Sequence, residues 1–290
     1  MLNVKKMLRR KISNNLFHYQ WQLIFNLGTK KSKPYSEFKS IVPPKDKFWA
    51  DPFIIFKNNI YYVFFEEFIY EKNKAHISFL TINQDGTYSN PKKVLEKPYH
   101  LSYPFIFKND EKYYMIPESS SSNTIDVYEC SKFPEKWNFC KTLIQNVTAT
   151  DSTLFYKDEK WWLFTSLTNY QNKKRKNELF LFYSDNPVGD KWISHPKNPI
   201  VSNVKGSRSA GKIFEENGRI IRPAQDGSIR YGCGIIFYRI DILNEIDYQE
   251  TEVKTIYPDW DKKVIGVHSY GQEKELTVMD IRIKKWKFKE

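Results

Sequence analysis

DPFIIFKNNIYYVFFEE, residues 51–67, is a run of β-branched and aromatic residues, a polar Lys-Asn-Asn break and a second such run. That is the pattern of two strands joined by a tight turn. The scheme recurs. Residues 103–118 read YPFIFKNDEKYYMIPE and residues 151–165 read DSTLFYKDEKWWLFT, and in all three copies an aromatic pair starts ten residues after the first position. A fourth copy, SAGKIFEENGRIIRP, covers residues 209–223, and a weaker fifth runs from Gly266-Val267-His268 to LTVMD at 276–280. Starts near 51, 103, 151, 209 and 267 are separated by about 50 to 60 residues, the size of one four-stranded propeller blade with its connections. The fold class expected is therefore all-β: a single five-bladed β-propeller over residues 19–290, preceded by a short basic segment at 1–18. YQWQLIF, residues 19–25, alternates like a strand and is expected to close the last blade from outside. Unrelated hairpins in a sandwich are the alternative, which the repeated ten-residue offset disfavours.

Composition agrees with a large folded β domain. Aromatics make up 17% of the 290 residues and charged residues 28%, which excludes disordered and low-complexity classes. Three scattered cysteines fit neither a disulfide scaffold nor a zinc site. The net charge of +12 is concentrated: residues 1–45 hold ten Lys/Arg and one acid, Glu37, so the rest of the chain is nearly neutral. It lacks the general basic footprint of a nucleic-acid binder, and no nucleic-acid partner is expected. Within residues 1–15, Lys5, Lys6, Arg9, Arg10 and Lys11 alternate with Leu2, Val4, Met7, Leu8 and Ile12. Such a segment can form a basic amphipathic helix that lies on an anionic membrane. No apolar run of about 18 residues and no leader-like segment stands out. The expected location is cytoplasmic, with peripheral contact at the inner face of the membrane.

In a propeller the residue opening each copy points at the central axis, so Asp51, Tyr103, Asp151, Ser209 and His268 are expected to converge on one pocket. Carboxylates on separate inner strands are what glycoside chemistry uses. FWADPF at 48–53, with aspartates opening copies one and three, resembles the five-bladed glycosidases of the arabinanase and xylosidase type (glycoside hydrolase family 43). That resemblance implies Asp51 as general base and Asp151 as the residue that orients it and tunes its pKa. It also implies a glutamate opening the fourth copy, where this chain has Ser209-Ala210-Gly211. Without that proton donor, hydrolysis of an unactivated glycoside loses a contribution of about 10²- to 10⁴-fold. A sugar on a nucleotide diphosphate needs no such acid, because its leaving group is a stabilised anion that cations can hold. Arg208 and Arg222, at opposite ends of the fourth hairpin, are expected either to reach the funnel and bind phosphate or to form ion pairs with Glu66, Glu67 or Asp226.

A closer resemblance covers nearly all the chain after residue 20. ADPF at 50–53, FFEE at 64–67, HLSYP at 100–104, YMIPES at 114–119, DST at 151–153, WWLFT at 161–165, HPKNP at 195–199, RPAQD at 222–226 and GVHSY at 266–270 occur in one order. In that order they resemble the N-terminal domain of plant glucosamine inositolphosphorylceramide transferase and bacterial polysaccharide-biosynthesis propeller proteins. The resemblance implies carbohydrate work in cell-surface glycan assembly (capsule or lipopolysaccharide), with a sugar-nucleotide donor and a glycan or glycolipid acceptor as partners. The leading reading is thus a glycosyltransferase. A glycosidase using Glu118 or one of Glu66 and Glu67 as replacement acid, and a non-catalytic glycan-binding module, are the alternatives. Catalytic candidates are Asp51, Asp151 and Glu118. Substrate-binding candidates are Trp49, Glu66, Glu67, His100, Tyr103, Arg208, Arg222, Asp226 and His268. Glu66 and Glu67 are adjacent, so only one can face the funnel from a strand, and Asp226 is a partner for Arg222. No cofactor is expected, although in the glycosidases a histidine placed like His268 sits on the axis near a water or calcium ion.

Overall fold

The computed structural model describes residues 16–28, 33–171 and 174–286. Residues 1–15, where the basic amphipathic helix was expected, lie outside the described residues. The described chain forms five antiparallel sheets around a central axis, a five-bladed propeller. Blade one comprises β3 (Lys47–Lys57), β4 (Ile60–Ile69), β5 (Lys74–Ile82) and β6 (Lys92–Leu95) from the axis outward. Blade two is β7 (Ser102–Asn109), β8 (Lys112–Glu118), β9 (Thr124–Lys132) and β10 (Lys136–Gln145). Blade three is β11 (Ala149–Lys157), β12 (Lys160–Gln171), β13 (Lys174–Ser184) and β14 (Ile193–Ser194). Blade four is β15 (Lys205–Ser209), β17 (Arg219–Asp226), β18 (Gly234–Leu243) and β19 (Tyr248–Ile256), with the short β16 (Phe214–Glu216) also on β17.

Blade five is made from both ends of the chain: β20 (Val264–Glu273) and β21 (Leu276–Trp286) carry β1 (Phe17–Leu27) and β2 (Lys39–Ile41) on their outer side. β1 pairs with β21 over its full length, from Phe17 opposite Trp286 to Leu27 opposite Leu276. Phe17 and His18 therefore belong to the propeller rather than to the segment before it. Alternation puts Leu23 and Phe25 into a core shared with Val63 and Phe65 of blade one, and Ile24 into one shared with Ile235 and Phe237 of blade four.

Each polar break is a two-residue hairpin. Asn58 and Asn59, Asp110 and Glu111, and Asp158 and Glu159 all have positive φ, the backbone that matches the twist of the flanking strands. The inner strands share a second irregularity. Pairing slips at Asp51-Pro52, Tyr103-Pro104, Asp151-Ser152 and His268-Ser269 in blades one, two, three and five, and between Lys205 and Ser209 in blade four, near the start of each inner strand. Asp51, Tyr103 and Asp151 sit there at φ 53°, 44° and 54°. Aspartate tolerates this left-handed backbone and tyrosine seldom adopts it, so the turn toward the axis is held by tertiary contacts.

Leu23 is fully buried in the closing strand. Its replacement by alanine is expected to lower stability by about 3 kcal/mol in urea unfolding. A loss under about 1 kcal/mol would show that β1 does not lock the ring.

Candidate functional site

The bulges turn their residues into a ring of hydrogen bonds around the axis. The Asp51 amide donates to Asp280 Oδ2 (2.9 Å), and Asp280 Oδ1 accepts the amides of His268 and Ser269 (3.0 Å each). Asp51 in turn accepts the Tyr103 amide on Oδ2 (3.2 Å) and the Ser269 hydroxyl on Oδ1 (2.7 Å). The Tyr103 hydroxyl lies 2.8 Å from Thr153 Oγ1, donates to the Gly211 carbonyl (3.2 Å) and accepts the Gly211 amide (3.0 Å). The Tyr270 amide donates to the Ala210 carbonyl (2.7 Å) and closes the ring between blades five and four. Gly211 is required there: its φ is +136°, and a Cβ would stand 2.0 Å from the Tyr270 carbonyl oxygen.

Above this ring, at the ends where the inner strands begin, opens a cavity of about 290 Å³. Asp51, Glu66, His100, Glu118, Arg208 and His268 line it, as do Trp21, Phe48 and Tyr231. Asp151 lies just below, held by Arg208 through Nε–Oδ2 (2.6 Å) and Nη2–Oδ1 (3.1 Å) and by Gln225 Nε2 (3.3 Å). Arg208 Nη2 is also 3.6 Å from Glu118 Oε2. His100 Nε2 lies 3.3 Å from Glu66 Oε1. His268 is stacked on Trp21 at 4.2 Å and sits between Asp280 (Nδ1–Oδ1 2.8 Å, an ion-pair contact rather than a directed hydrogen bond) and Asp51 (Nε2–Oδ1 3.5 Å).

Four carboxyl groups share this space with few cations. Burial is the main force raising the Asp51 pKa to about 6, with the Asp280 and Asp151 charges adding to it and His268 pulling back. Burial and the Asp151 charge push Glu118 up to about 8, against the pull of Arg208. Glu66 is raised well above the usual range by burial and then by Asp51 and Glu118. His268 keeps its proton more tightly than a free imidazole: burial opposes the cation, but Asp280 and Asp51 together outweigh it. At pH 7 the cavity thus offers a mostly ionised Asp51 and a protonated Glu118, a base and an acid set apart by environment. Asp51, His268 and Asp280 bring ligand-type atoms within 4.8 Å of one another. Their four carboxylate oxygens are already taken by amides, Ser269 and the imidazole, so the trio fits a charge-compensated histidine better than a bound cation.

Several expected residues sit elsewhere. Tyr103 is fully buried and braces the axis instead of lining a sugar pocket. Glu67 points into blade one, where Trp49 Nε1 (3.3 Å), Lys47, His76 and Ser78 hold it, so Trp49 and Glu67 are both removed from the cavity. The alternation of β4 sends Glu66 inward and Glu67 outward. Arg222 does not reach the funnel: it is fully buried in a two-point pair with Glu250 (2.8 and 2.7 Å). Asp226 is not its partner, because it accepts the Tyr257 hydroxyl and the Ser228 amide (2.8 Å each). Ser209 is buried and offers only its carbonyl, to Gln225 (3.0 Å). Sequence reading overlooked Asp280, Trp21 and Tyr231. A carboxylate on the second strand, as in Glu66 and Glu118, was a usable signal for Asp280; Trp21 and Tyr231 arrive from an outer strand and a loop, which no repeat marks.

A family model described as "Glucosamine inositolphosphorylceramide transferase 1, N-terminal" matches residues 38–287. Glucosamine inositolphosphorylceramide transferase 1 of Oryza sativa subsp. japonica is 34% identical over 209 residues, 71% of this chain and 28% of the relative; that of Arabidopsis thaliana is 31% identical, over 71% and 27%. The chain thus spans little more than a quarter of the length of these curated relatives. Among solved structures, a family 117 glycoside hydrolase from Zobellia galactanivorans superposes with a TM-score of 0.57 at 14% identity, covering 92% of this chain and 90% of the other. A Bacillus subtilis arabinanase gives 0.53 at 13% identity over 80% and 92%. These two likenesses are of fold.

The raised Glu118 pKa has a stability signature. Its carboxyl binds a proton more tightly folded than unfolded, so stability is full below the unfolded value of about 4.5 and drains as pH climbs to about 8. Glu118→Gln removes that loss. The Tm difference between variant and parent is expected to widen in the variant's favour from about pH 4.5 to about 8 and then level off; a constant difference would mean that Glu118 is ionised throughout.

Proposed function

Since the chain belongs to the glucosamine inositolphosphorylceramide transferase 1 N-terminal family, we propose that its funnel transfers a sugar from an activated donor to a hydroxyl of a glycolipid or polysaccharide. The observation that carries this reading is the placement of two carboxyl groups, Asp51 and Glu118, with the Arg208 guanidinium in one small cavity. Asp51 accepts the proton of the acceptor hydroxyl as it attacks the anomeric carbon. Its carboxylate is fixed from two sides by the Tyr103 amide and Ser269, so the base is already oriented when substrate arrives. Arg208, clamped by Asp151, is the guanidinium facing the cavity and stabilises negative charge on a departing phosphate. Glu118, neutral, donates a hydrogen bond to the leaving oxygen or to a sugar hydroxyl.

The sugar itself should be neutral or cationic. Asp51 at the cavity wall disfavours the carboxylate of a uronic or sialic acid, whereas an amino sugar, as named in the relatives, gains a carboxylate partner for its ammonium. The polysaccharide and glycolipid acceptors remain alternatives within this one reaction class.

One observation favours a second reading. Glu118 supplies in blade two the acid that blade four lacks, so hydrolysis of a glycoside, with water in the acceptor's place, is open to the same pair. The two readings differ in what they ask of Glu118. Phosphate leaves without a proton; a sugar alkoxide does not.

Thermal-shift screening of sugar nucleotides and free saccharides should identify the ligand, since a binder at a hundred times its Kd adds about 2.7 kcal/mol. Glucosamine is expected to shift the transition more than glucuronate; the reverse order removes the acidic-funnel argument. With the donor in hand, Asp51→Asn should lower kcat by about 10²- to 10⁴-fold. Glu118→Gln should leave transfer from a sugar nucleotide within about tenfold but cut turnover of an aryl glycoside by about 10²- to 10⁴-fold. Transfer that survives Asp51→Asn undiminished would refute the assignment. The pH profile for glycoside turnover should be bell-shaped, rising as Asp51 ionises near 6 and falling as Glu118 loses its proton near 8.

A further inference from the structure

A second and larger cavity, about 950 Å³, lies on blade five. Its walls come from the first residues of β1, the last residues of β21, the 42–45 segment leading into β3 and Lys262 and Lys263 just ahead of β20. Five lysines line it, Lys45, Lys262, Lys263, Lys284 and Lys285, and among the described residues no carboxylate does. Asp46 and Asp261 flank the lysines in sequence; the Asp261 carboxylate is turned back onto the Lys263 amide (2.8 Å). The apolar part of the wall is unusually open. Trp286 is 53% exposed and Val42 51%, and Phe17 packs on Trp286 at 4.4 Å with Lys284 Nζ 3.8 Å above its ring.

From this geometry we infer that the blade-five rim is a docking surface for an anionic phospholipid bilayer. Lysines ringing exposed indole and aliphatic groups suit an interface where charge meets headgroup phosphates and the rings enter the acyl boundary. A discrete phosphate ligand calls for different parts: among the described residues no arginine fork lines the groove, and its cations are flexible point charges. The chain's own residues 1–15 are not the occupant, since Lys5, Lys6, Arg9, Arg10 and Lys11 carry the same sign and no acid.

Val42–Lys45 precede the start of β3, Lys262 and Lys263 precede the start of β20, and the funnel is lined from these same strand starts by Phe48, Asp51 and His268. Groove and funnel therefore open at one end of the blades. A bilayer held on the rim meets the funnel mouth edge-on, within reach of a headgroup-borne hydroxyl.

Sedimentation of the full chain with vesicles tests this, using phosphatidylcholine alone against phosphatidylcholine containing phosphatidylglycerol. Binding is expected only to the anionic vesicles, and it should weaken as salt is raised from about 0.1 to about 0.5 M. Lys262→Glu with Lys263→Glu, two exposed positions, should lower the partition coefficient at least about tenfold. Trp286→Ala should lower it several-fold, a loss that charge alone does not produce. A variant with Lys5, Lys6, Arg9, Arg10 and Lys11 changed to glutamine separates the two basic regions. If that variant abolishes binding while the groove variants bind like the parent at unchanged Tm, the inference fails. It fails equally if anionic vesicles do not sediment the protein, if soluble glycerophosphate displaces it from them at millimolar concentration, or if a single-stranded oligonucleotide binds the groove more tightly than vesicles do.

Discussion

Asp280 and Asp51 share the interaction on which the rest of the molecule depends. Asp280 accepts three backbone amides, two from its own blade and one from blade one, and Asp51 passes the link to blade two through the Tyr103 amide. Tyr103 then reaches blades three and four with a single hydroxyl. A carboxylate that accepts several amides in a dry site is strongly held, and removing it would leave those donors buried and unpaired. Five sheets that touch mainly through side-chain packing are thereby joined at their narrowest point by directional bonds. Left-handed backbone at Asp51, Tyr103 and Asp151 is what aims these groups inward, so the ring and the strain sustain each other.

The chemistry inherits its geometry from that ring. Asp51 serves as both structural acceptor and candidate base: it holds the Ser269 hydroxyl and the Tyr103 amide and still lines the cavity. Burial first, and then the neighbouring acids, push Glu118 and Glu66 upward, while Arg208 and His268 lie against Asp151 and Asp280. Arg222 and Glu250 show the contrasting use of charge: a fully buried two-point pair that packs blade four and faces no cavity.

Blade five has a different task. Built from both chain ends, it closes the ring with eleven paired positions between β1 and β21, and its outer corner gathers lysines that are distant in sequence. Lys262, Lys263, Lys284 and Lys285, far from Lys45 in sequence, meet it only through the fold.

What the linear sequence determined by itself was whatever repeats. Strand, two-residue turn and strand recur with a fixed offset, so the number of blades, the closing strand and the inward position of Asp51 and Asp151 could be read from local pattern, because alternation and turn chemistry are local physics. Glu66 against Glu67 was half legible: period two says that one faces in, and only the tertiary partners of Glu67, with Glu66 at the cavity wall, settle which. Pairing across blades was not legible. Arg208 chose Asp151, Arg222 chose Glu250, and Asp280 became the hub of the axis, because an ion pair or a shared amide is decided by distance between strands remote in sequence. The same holds for protonation. Glu118 is an ordinary glutamate in the chain and an acid only where burial and Asp151 meet it.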